Sequence, residues 1–296
     1  MAFDGIVLSR VTELLNETIV TGRISKLYQI SKYELLMTVR AQNENKKLLV
    51  SIHPMYARVQ LTQLNYPTPD FPNALTMFLR KHIEGSFIER IEQVGLDRIL
   101  KITLRGRNEF KDLVEYHLYI EIMGKHSNFI LTNKEDKILE CLKRVSPSDS
   151  IRIMQPGITY SYPPLLEKKN PFENRPETTN LVKEFEGFSK DLAEEAASRM
   201  EQGEDFKTIM NEIKESKELY ITRGDKEKYH VIPLHCFGKK IDQYSLFDGL
   251  DAYYQFIDQK DRIKQQTSDI LHFIQKEYTK LSLIHISEPT RLGMIS

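Results

Sequence analysis

Residues 87–104 read Phe-Ile-Glu-Arg-Ile-Glu-Gln-Val-Gly-Leu-Asp-Arg-Ile-Leu-Lys-Ile-Thr-Leu. Apolar residues alternate with polar ones on both sides of Gly95, which predicts a strand over 87–94, a tight turn, and a returning strand over 98–104. Asp97 and Arg98 stand at the entrance of the second strand. Two opposite charges side by side at a turn could engage a phosphate and a base or sugar hydroxyl together. The same pair also reads as a solvated turn.

The same alternation recurs on both sides of this stretch. Strands are expected at Arg23 to Tyr28, Glu34 to Arg40, Lys47 to Ile52, His117 to Met123, Asn128 to Thr132 and Lys137 to Leu142, with polar or glycine-bearing connections. Asp4 caps a first amphipathic helix through Ile6, Val7, Val11, Leu14 and Leu15 that ends near Asn16. After Pro67, Pro69 and Pro72 a short helix is expected over Asn73 to Ile83, with Leu75, Phe78 and Leu79 inward and Gly85 closing it. The fold class is therefore α+β. Pro156-Gly157, Tyr160, Pro163 and Pro164 make a turn-rich exit from this first part.

From about Asn170 the period changes to short helices over Leu181 to Phe185, Ser189 to Met200 and Asp205 to Ser216, separated by Gly187 and Gly203. Tyr229 to Pro233 reads as a returning strand, and Leu246 onward as one long helix. In that helix Phe256, Ile263 and Ile270 recur at the spacing of a coiled-coil seam, weakened by Lys260 and Thr267. From Leu281 the text resembles the translation of a transposase adapter used in sequencing libraries. Residues 281–296 are thus read as foreign, with native sequence continuing beyond Lys280.

The chain has 296 residues, 40% hydrophobic and 28% charged, which excludes a disordered or fibrous polymer. Lys plus Arg and Asp plus Glu number 42 each, but residues 1–165 hold 22 basic against 18 acidic side chains, so the first part is the better candidate for meeting phosphate. Two distant cysteines, Cys141 and Cys236, and an unremarkable Met-Ala-Phe-Asp start point to a cytoplasmic protein without a disulfide scaffold. No apolar run is long enough to span a membrane. Walker, G-x-G-x-x-G, Cys-x-x-Cys and His-Glu-x-x-His patterns are absent, so neither a cofactor, a metal nor a catalytic group is expected. Cys141 lies in an apolar strand-like run, where a thiol is usually a small core hydrophobe rather than a nucleophile.

Between two strong strands, Glu121-Ile-Met-Gly-Lys-His-Ser-Asn128 is rich in donors: Lys125, His126, Ser127 and Asn128. These could contact RNA, or close a hairpin on their own backbone. Arg80, Lys81 and His82 on the second helix and Lys143 and Arg144 after a strand could join one basic face, or stay as ordinary solvated charges.

Taken in order, Phe3-Asp4-Gly5, Leu79-Arg80-Lys81-His82, Gln93 with Asp97-Arg98, the Glu121–Asn128 block, Arg144-Val145 and Pro156-Gly157-x-x-Tyr160-x-x-Pro-Pro164 resemble the NFACT N-terminal domain of the RqcH/NEMF family, also labelled fibronectin-binding protein A. The resemblance implies a glycosylase N-domain-like β-sandwich with helices over 1–169, a helix-hairpin-helix-like module over 170–227, a returning strand over 228–245 packing on the first domain, and the start of a coiled-coil arm over 246–280. It implies a ribosome-associated quality control factor. Such a factor binds the large ribosomal subunit carrying an obstructed peptidyl-tRNA and recruits alanyl-tRNA, so that alanine is added to the stalled chain. Asp97, Arg98 and Asp4 would engage tRNA. Peptidyl transfer would belong to ribosomal RNA, so the chain would not be an enzyme. The family's second coiled-coil half and basic C-terminal domain lie outside the chain, so tailing by the chain alone is not expected. Two alternatives stand beside this reading. One is an adhesin that binds fibronectin or fibrinogen at the cell surface. The other is a DNA glycosylase-like nucleic-acid binder without catalysis, since the Met1-Ala2-Phe3-Asp4 start lacks the Pro-Glu of that chemistry.

Overall fold

The computed structural model describes residues 3–148, 152–164 and 167–286. Residues Met1–Asp251 form one compact unit and Ala252–Ser296 a second. In the first, helix α1 (Gly5–Ile19) is followed by strands β1 (Arg23–Ser31), β2 (Glu34–Ala41), β3 (Glu44–Ser51) and β4 (Arg58–Thr62). Helix α2 (Ala74–Ile83) leads to β5 (Phe87–Gln93), β6 (Ile99–Arg107), β7 (Leu113–Glu121), β8 (Asn128–Asn133) and β9 (Ile138–Cys141). All nine strands belong to one sheet in the order β4-β3-β2-β1-β5-β6-β7-β8-β9, antiparallel throughout.

The sheet is two meanders joined at a narrow seam, since β1 and β5 share the single register pair Arg23↔Phe87. At that seam the chain can bend, and α1 fills the fold, packing on β2 and β4 of one meander and β5 of the other. Ile6, Val7, Leu8, Val11, Leu15 and Ile19 are all fully buried, as expected of a helix covered on several sides. Each such side chain contributes about 1.5–3 kcal/mol of transfer free energy. The loops after β3 and β9 then meet, where Lys143 Nζ donates to the Ile52 carbonyl at 3.4 Å.

Helix α2 starts at Asn73, whose side chain accepts the Thr76 N–H at 2.8 Å, and ends before Gly85 at φ +89°. Its inward face is Thr76, Leu79 and Ile83; Leu75 and Phe78, expected inside, are half-buried because the helix rests on the sheet by one edge.

The second part of this unit holds α3 (Leu181–Glu184), α4 (Lys190–Glu201) and α5 (Phe206–Glu215), with Phe185 stacked 5.1 Å from Phe206. Strands β10 (Glu218–Arg223), β11 (Lys228–His230) and β12 (Lys240–Ser245) form a separate sheet in the order β11-β10-β12. This corrects the sequence reading of 228–245 in two ways. The segment contains two strands rather than one, and both pair with β10, a strand the sequence reading also lacked.

Strand β4 has no counterpart among the expected strands; its Arg58, Gln60 and Thr62 are polar yet all buried. Asp251 makes their burial tolerable by accepting from Gln60 Nε2 at 2.6 Å, Thr62 Oγ1 at 2.7 Å and the Gln63 N–H at 2.9 Å. Helix α6 (Leu246–Ile286) continues past Lys280, where the sequence pattern was taken to break; residues 287–296 of the adapter-like tail lie outside the described residues. Within it Phe256, Ile263 and Ile270 are exposed.

Candidate nucleic-acid interface

The β5–β6 turn is closed by the Asp97 N–H on the Val94 carbonyl and the Val94 N–H on the Ile99 carbonyl, both at 3.0 Å. Gly95 supplies the left-handed φ of +57° that the turn needs. Asp97 Oδ1 accepts the Arg98 N–H at 2.7 Å, which aligns the two residues on one rim. Gln93 locks the turn to α1 by donating to the carbonyls of Gly5 (2.8 Å) and Asp97 (2.9 Å). A third segment joins them. The Ile6 N–H reaches the Gly187 carbonyl at 3.3 Å, and Glu186 Oε2 accepts the Leu96 N–H at 3.2 Å.

Three backbones therefore touch at Gly5, Leu96 and Gly187. A Cβ built on Gly5 would lie 1.9 Å from the Leu96 oxygen and 2.6 Å from Gly187 Cα, so only glycine fits. Beside this contact opens a cleft of about 270 Å³, with Arg98, Lys168, Lys190 and Ser189 on its walls. An adjoining hollow of about 130 Å³ shares Asp97, Lys168 and Gly187 with it. The N-termini of α1 and α4 both open here, capped by Asp4 and Ser189. The α1 N–H groups of Ile6 and Val7 are taken by Gly187 and Asp4, so it is the three cations, with the partial positive charge at the start of α4, that favour a phosphate-bearing ligand.

Asp4 is only 4% exposed. Its Oδ1 accepts the Val7 N–H at 2.9 Å; its Oδ2 accepts the Ser189 N–H at 3.3 Å and lies 3.2 Å from His230 Nε2. Burial raises its carboxyl pKa, but His230 and these donors outweigh burial and hold it below the usual aspartate value. Asp4 thus belongs to the wall of the cleft, tying α1, α4 and β11 together, and both its oxygens are committed within the chain. His230 is itself buried, with Nδ1 lacking a partner.

The other residues singled out in the sequence divide sharply. Ser127 and Asn128 are buried, which fits the second of their two readings, closure of the turn on its own backbone, rather than contact with RNA. Ser127 Oγ accepts the Met123 N–H at 2.9 Å, while Asn128 accepts the Lys143 N–H at 2.9 Å and donates to the Lys143 carbonyl at 2.8 Å. Their short polar groups are consumed by backbone that no sheet partner reaches. Asn128→Ala is expected to cost about 1–3 kcal/mol of stability in urea unfolding, because it leaves the Lys143 N–H and carbonyl without their partner; a variant of parental stability contradicts this placement.

Lys125 and His126 are exposed. Arg80 donates to the Leu27 carbonyl at 2.9 Å and covers the Tyr28 ring at 4.8 Å, Lys81 pairs with Glu109 at 3.0 Å, and Arg144 with Glu140 at 3.0 Å. Each of these cations is occupied by its own neighbours rather than pooled on one face. Glu121, quoted as the start of the donor-rich block, is buried against Arg152 and accepts from Tyr160 at 2.8 Å.

Cys141 is a core residue whose thiol is pushed up to about 11, mainly by burial, as the apolar surroundings suggested. Among the described residues no group of three or more His, Cys, Asp or Glu could hold a metal, and no helix is long and apolar enough to cross a membrane. Lys168, Lys190, Ser189 and His230 were not found from the sequence. Ser189 had carried only a helix-cap signal, and the two lysines no local signal at all.

Comparison with known proteins bears on the same segments. Residues 4–284 match the family described as NFACT N-terminal and middle domains. The chain is 38% identical over 304 residues to the Rqc2 homolog RqcH of Bacillus subtilis and 36% identical over 296 residues to that of Streptococcus pneumoniae, with 95% of this chain covered in each case. It spans about half the length of these relatives, 53% and 52%. Among solved structures it is similar to the N-terminal part of the fibronectin/fibrinogen-binding protein from Streptococcus suis. That similarity has a TM-score of 0.77 and 35% identity, covering 86% of this chain and 99% of the other. The three backbones that meet at Gly5, Leu96 and Gly187 all fall inside the matched range, and on that match and these identities the chain belongs to the NFACT N-terminal family, together with the RqcH proteins.

Proposed function

We propose that this chain is the N-terminal and middle portion of a ribosome-associated quality control factor. It engages a large ribosomal subunit that still carries an obstructed peptidyl-tRNA, and it positions alanyl-tRNA for addition of alanine to the stalled chain. The observation that carries this reading is the cleft where Arg98, Lys168, Lys190 and the N-termini of α1 and α4 converge. Its chemistry suits a nucleotide: cations and the positive end of α4 for phosphate, and the Asp97 carboxylate as acceptor for a sugar or base donor. The names of the relatives support the ribosomal assignment. In this reading the chain binds and orients, peptidyl transfer belongs to ribosomal RNA, no acid, base or nucleophile is required of the protein, and the work is done in the cytoplasm.

Arg98→Ala is expected to weaken tRNA binding by about 1–3 kcal/mol, the loss of one charge-assisted contact. Stability should change less than in a replacement of Asp4, because Arg98 is half-buried at a turn whereas Asp4 is fully enclosed. The test is to recover the chain and the variant from lysate at two salt concentrations and to sequence the RNA bound to each. Large-subunit RNA with an alanine tRNA, the tRNA lost in Arg98→Ala, is the expected result. A variant that melts several degrees lower while binding tRNA normally makes the Asp97–Arg98 pair structural.

A second reading has a specific basis, because solved neighbours from Streptococcus suis and Staphylococcus aureus carry fibronectin- or fibrinogen-binding names. Binding of fibronectin by the purified chain, with no RNA recovered, selects that reading instead.

A further inference from the structure

The turn that carries Arg98 leads into a second surface. The Arg98 carbonyl accepts the Ile122 N–H at 2.8 Å, so β7 leaves the sheet beside it and enters a 3-10 turn at Gly124–His126. There it meets the segment after β3, a Cβ on Gly124 lying 3.4 Å from the Pro54 oxygen. In that segment His53 and Tyr56 stack with ring centroids 4.8 Å apart and planes 8° from parallel. Tyr33, from the β1–β2 hairpin, stands edge-on to His53 at 5.5 Å. Lys32 Nζ and Lys143 Nζ each lie 5.3 Å from the Tyr33 ring centre. Lys143 Nζ also donates to the Lys125 carbonyl at 3.3 Å, which ties the 3-10 turn to the rings. Burial, with the Lys32 charge nearby, holds the Lys143 ammonium below its ordinary value. Two ammonium groups crowded over one ring are an arrangement that an incoming anion relieves.

We propose that Tyr33, His53 and Tyr56, with Lys32, Lys125 and Lys143, form a platform for an unpaired RNA nucleotide, the base lying on the His53–Tyr56 stack and the phosphate between the lysines. Half-buried rings interleaved with cations are the chemistry by which single strands are held without sequence readout. A duplex hides its base faces and cannot use the rings. The proposal rests on the RNA-binding reading above and adds its substrate class: splayed, single-stranded nucleotides adjoining whatever the Arg98 cleft holds.

The test uses the whole chain, a short fluorescent oligouridylate, a hairpin duplex of matched charge, and unlabelled tRNA as competitor. The oligouridylate is expected to bind more tightly than the duplex. Tyr56→Ala and His53→Ala should each weaken it about tenfold with the salt dependence unchanged, and Tyr56→Phe should restore it. Lys32→Ala and Lys125→Ala, at exposed positions that leave folding intact, should each flatten the salt slope by about one phosphate contact.

Equal binding of duplex and single strand, or equal loss in Tyr56→Ala and Tyr56→Phe, overturns the platform. So does capture of an acidic peptide in preference to RNA. If Arg98→Ala loses tRNA while every platform variant binds it like the parent, the platform fails and the cleft reading stands. If the parent binds no RNA, both fail.

Discussion

Gly5→Ala is expected to destabilise the chain by about 3 kcal/mol and to abolish tRNA binding by the fraction that still folds. The methyl group would sit 1.9 Å from the Leu96 oxygen and 2.6 Å from Gly187 Cα, both backbone atoms that cannot rotate away. Relief requires moving the β5–β6 turn or the α3–α4 turn outward. The first carries Asp97 and Arg98, and the second is a wall of the cleft. Overpacking against side chains typically costs 1–3 kcal/mol, and an obstacle on two backbones belongs at the upper end. Urea unfolding with tRNA titration of the same samples decides the matter. A Gly5→Ala chain of parental stability and affinity shows that the three backbones are not packed as described.

Asp4→Ala is expected to cost about 1–3 kcal/mol, the penalty for leaving buried hydrogen-bonding groups unsatisfied. It removes the α1 cap, which by itself is worth about 1 kcal/mol. It also strips the Ser189 N–H of its acceptor and leaves His230 Nε2 without its hydrogen-bond partner. The pH dependence follows from the direction of the shift. The folded-state carboxyl titrates below the ordinary value of 3.8, so Asp4 contributes stability that is complete above that value. This contribution is lost as pH falls through the lower, folded-state value. Acid unfolding of the parent should therefore include a component that Asp4→Ala lacks, while the two unfolding curves stay separated by the full difference near neutral pH. Parallel loss of stability in both proteins across the acid range would falsify the pairing with His230.

Asp4→Ala should also weaken tRNA binding, although Asp4 offers no free oxygen to RNA. The loss would come through Gly187–Ser189, which Asp4 holds in place. That expectation separates Asp4 from Arg98, whose replacement should cost less stability.

How much of this was legible beforehand depends on where each residue's partners lie. Eight of the nine strands of the large sheet could be read because apolar, β-branched runs bounded by polar or glycine turns mark a strand whether one face is buried, as in β1 and β5, or both are, as in β8. The caps Asp4 and Ser189 could be read because a cap acts on N–H groups two or three residues away. The Asp97–Arg98 turn could be read because Gly95 and the two flanking strands define it locally. Strand β4 could not, because its polar side chains are buried on the strength of Asp251, about 190 residues further along.

Ser127 and Asn128 looked available for RNA for the complementary reason. The groups that consume them, the Met123 amide and the Lys143 backbone, cannot be paired with them from spacing alone. The sequence by itself determined most strands of the large sheet, the helices, the charged turn and, through ordered motif blocks, the family. Only the tertiary structure decided that Gly5, Leu96 and Gly187 touch, that Lys168 and Lys190 face Arg98, and that Asp4 is a strut. Contacts of that kind depend on the path of the backbone through space, and local pattern carries no record of it.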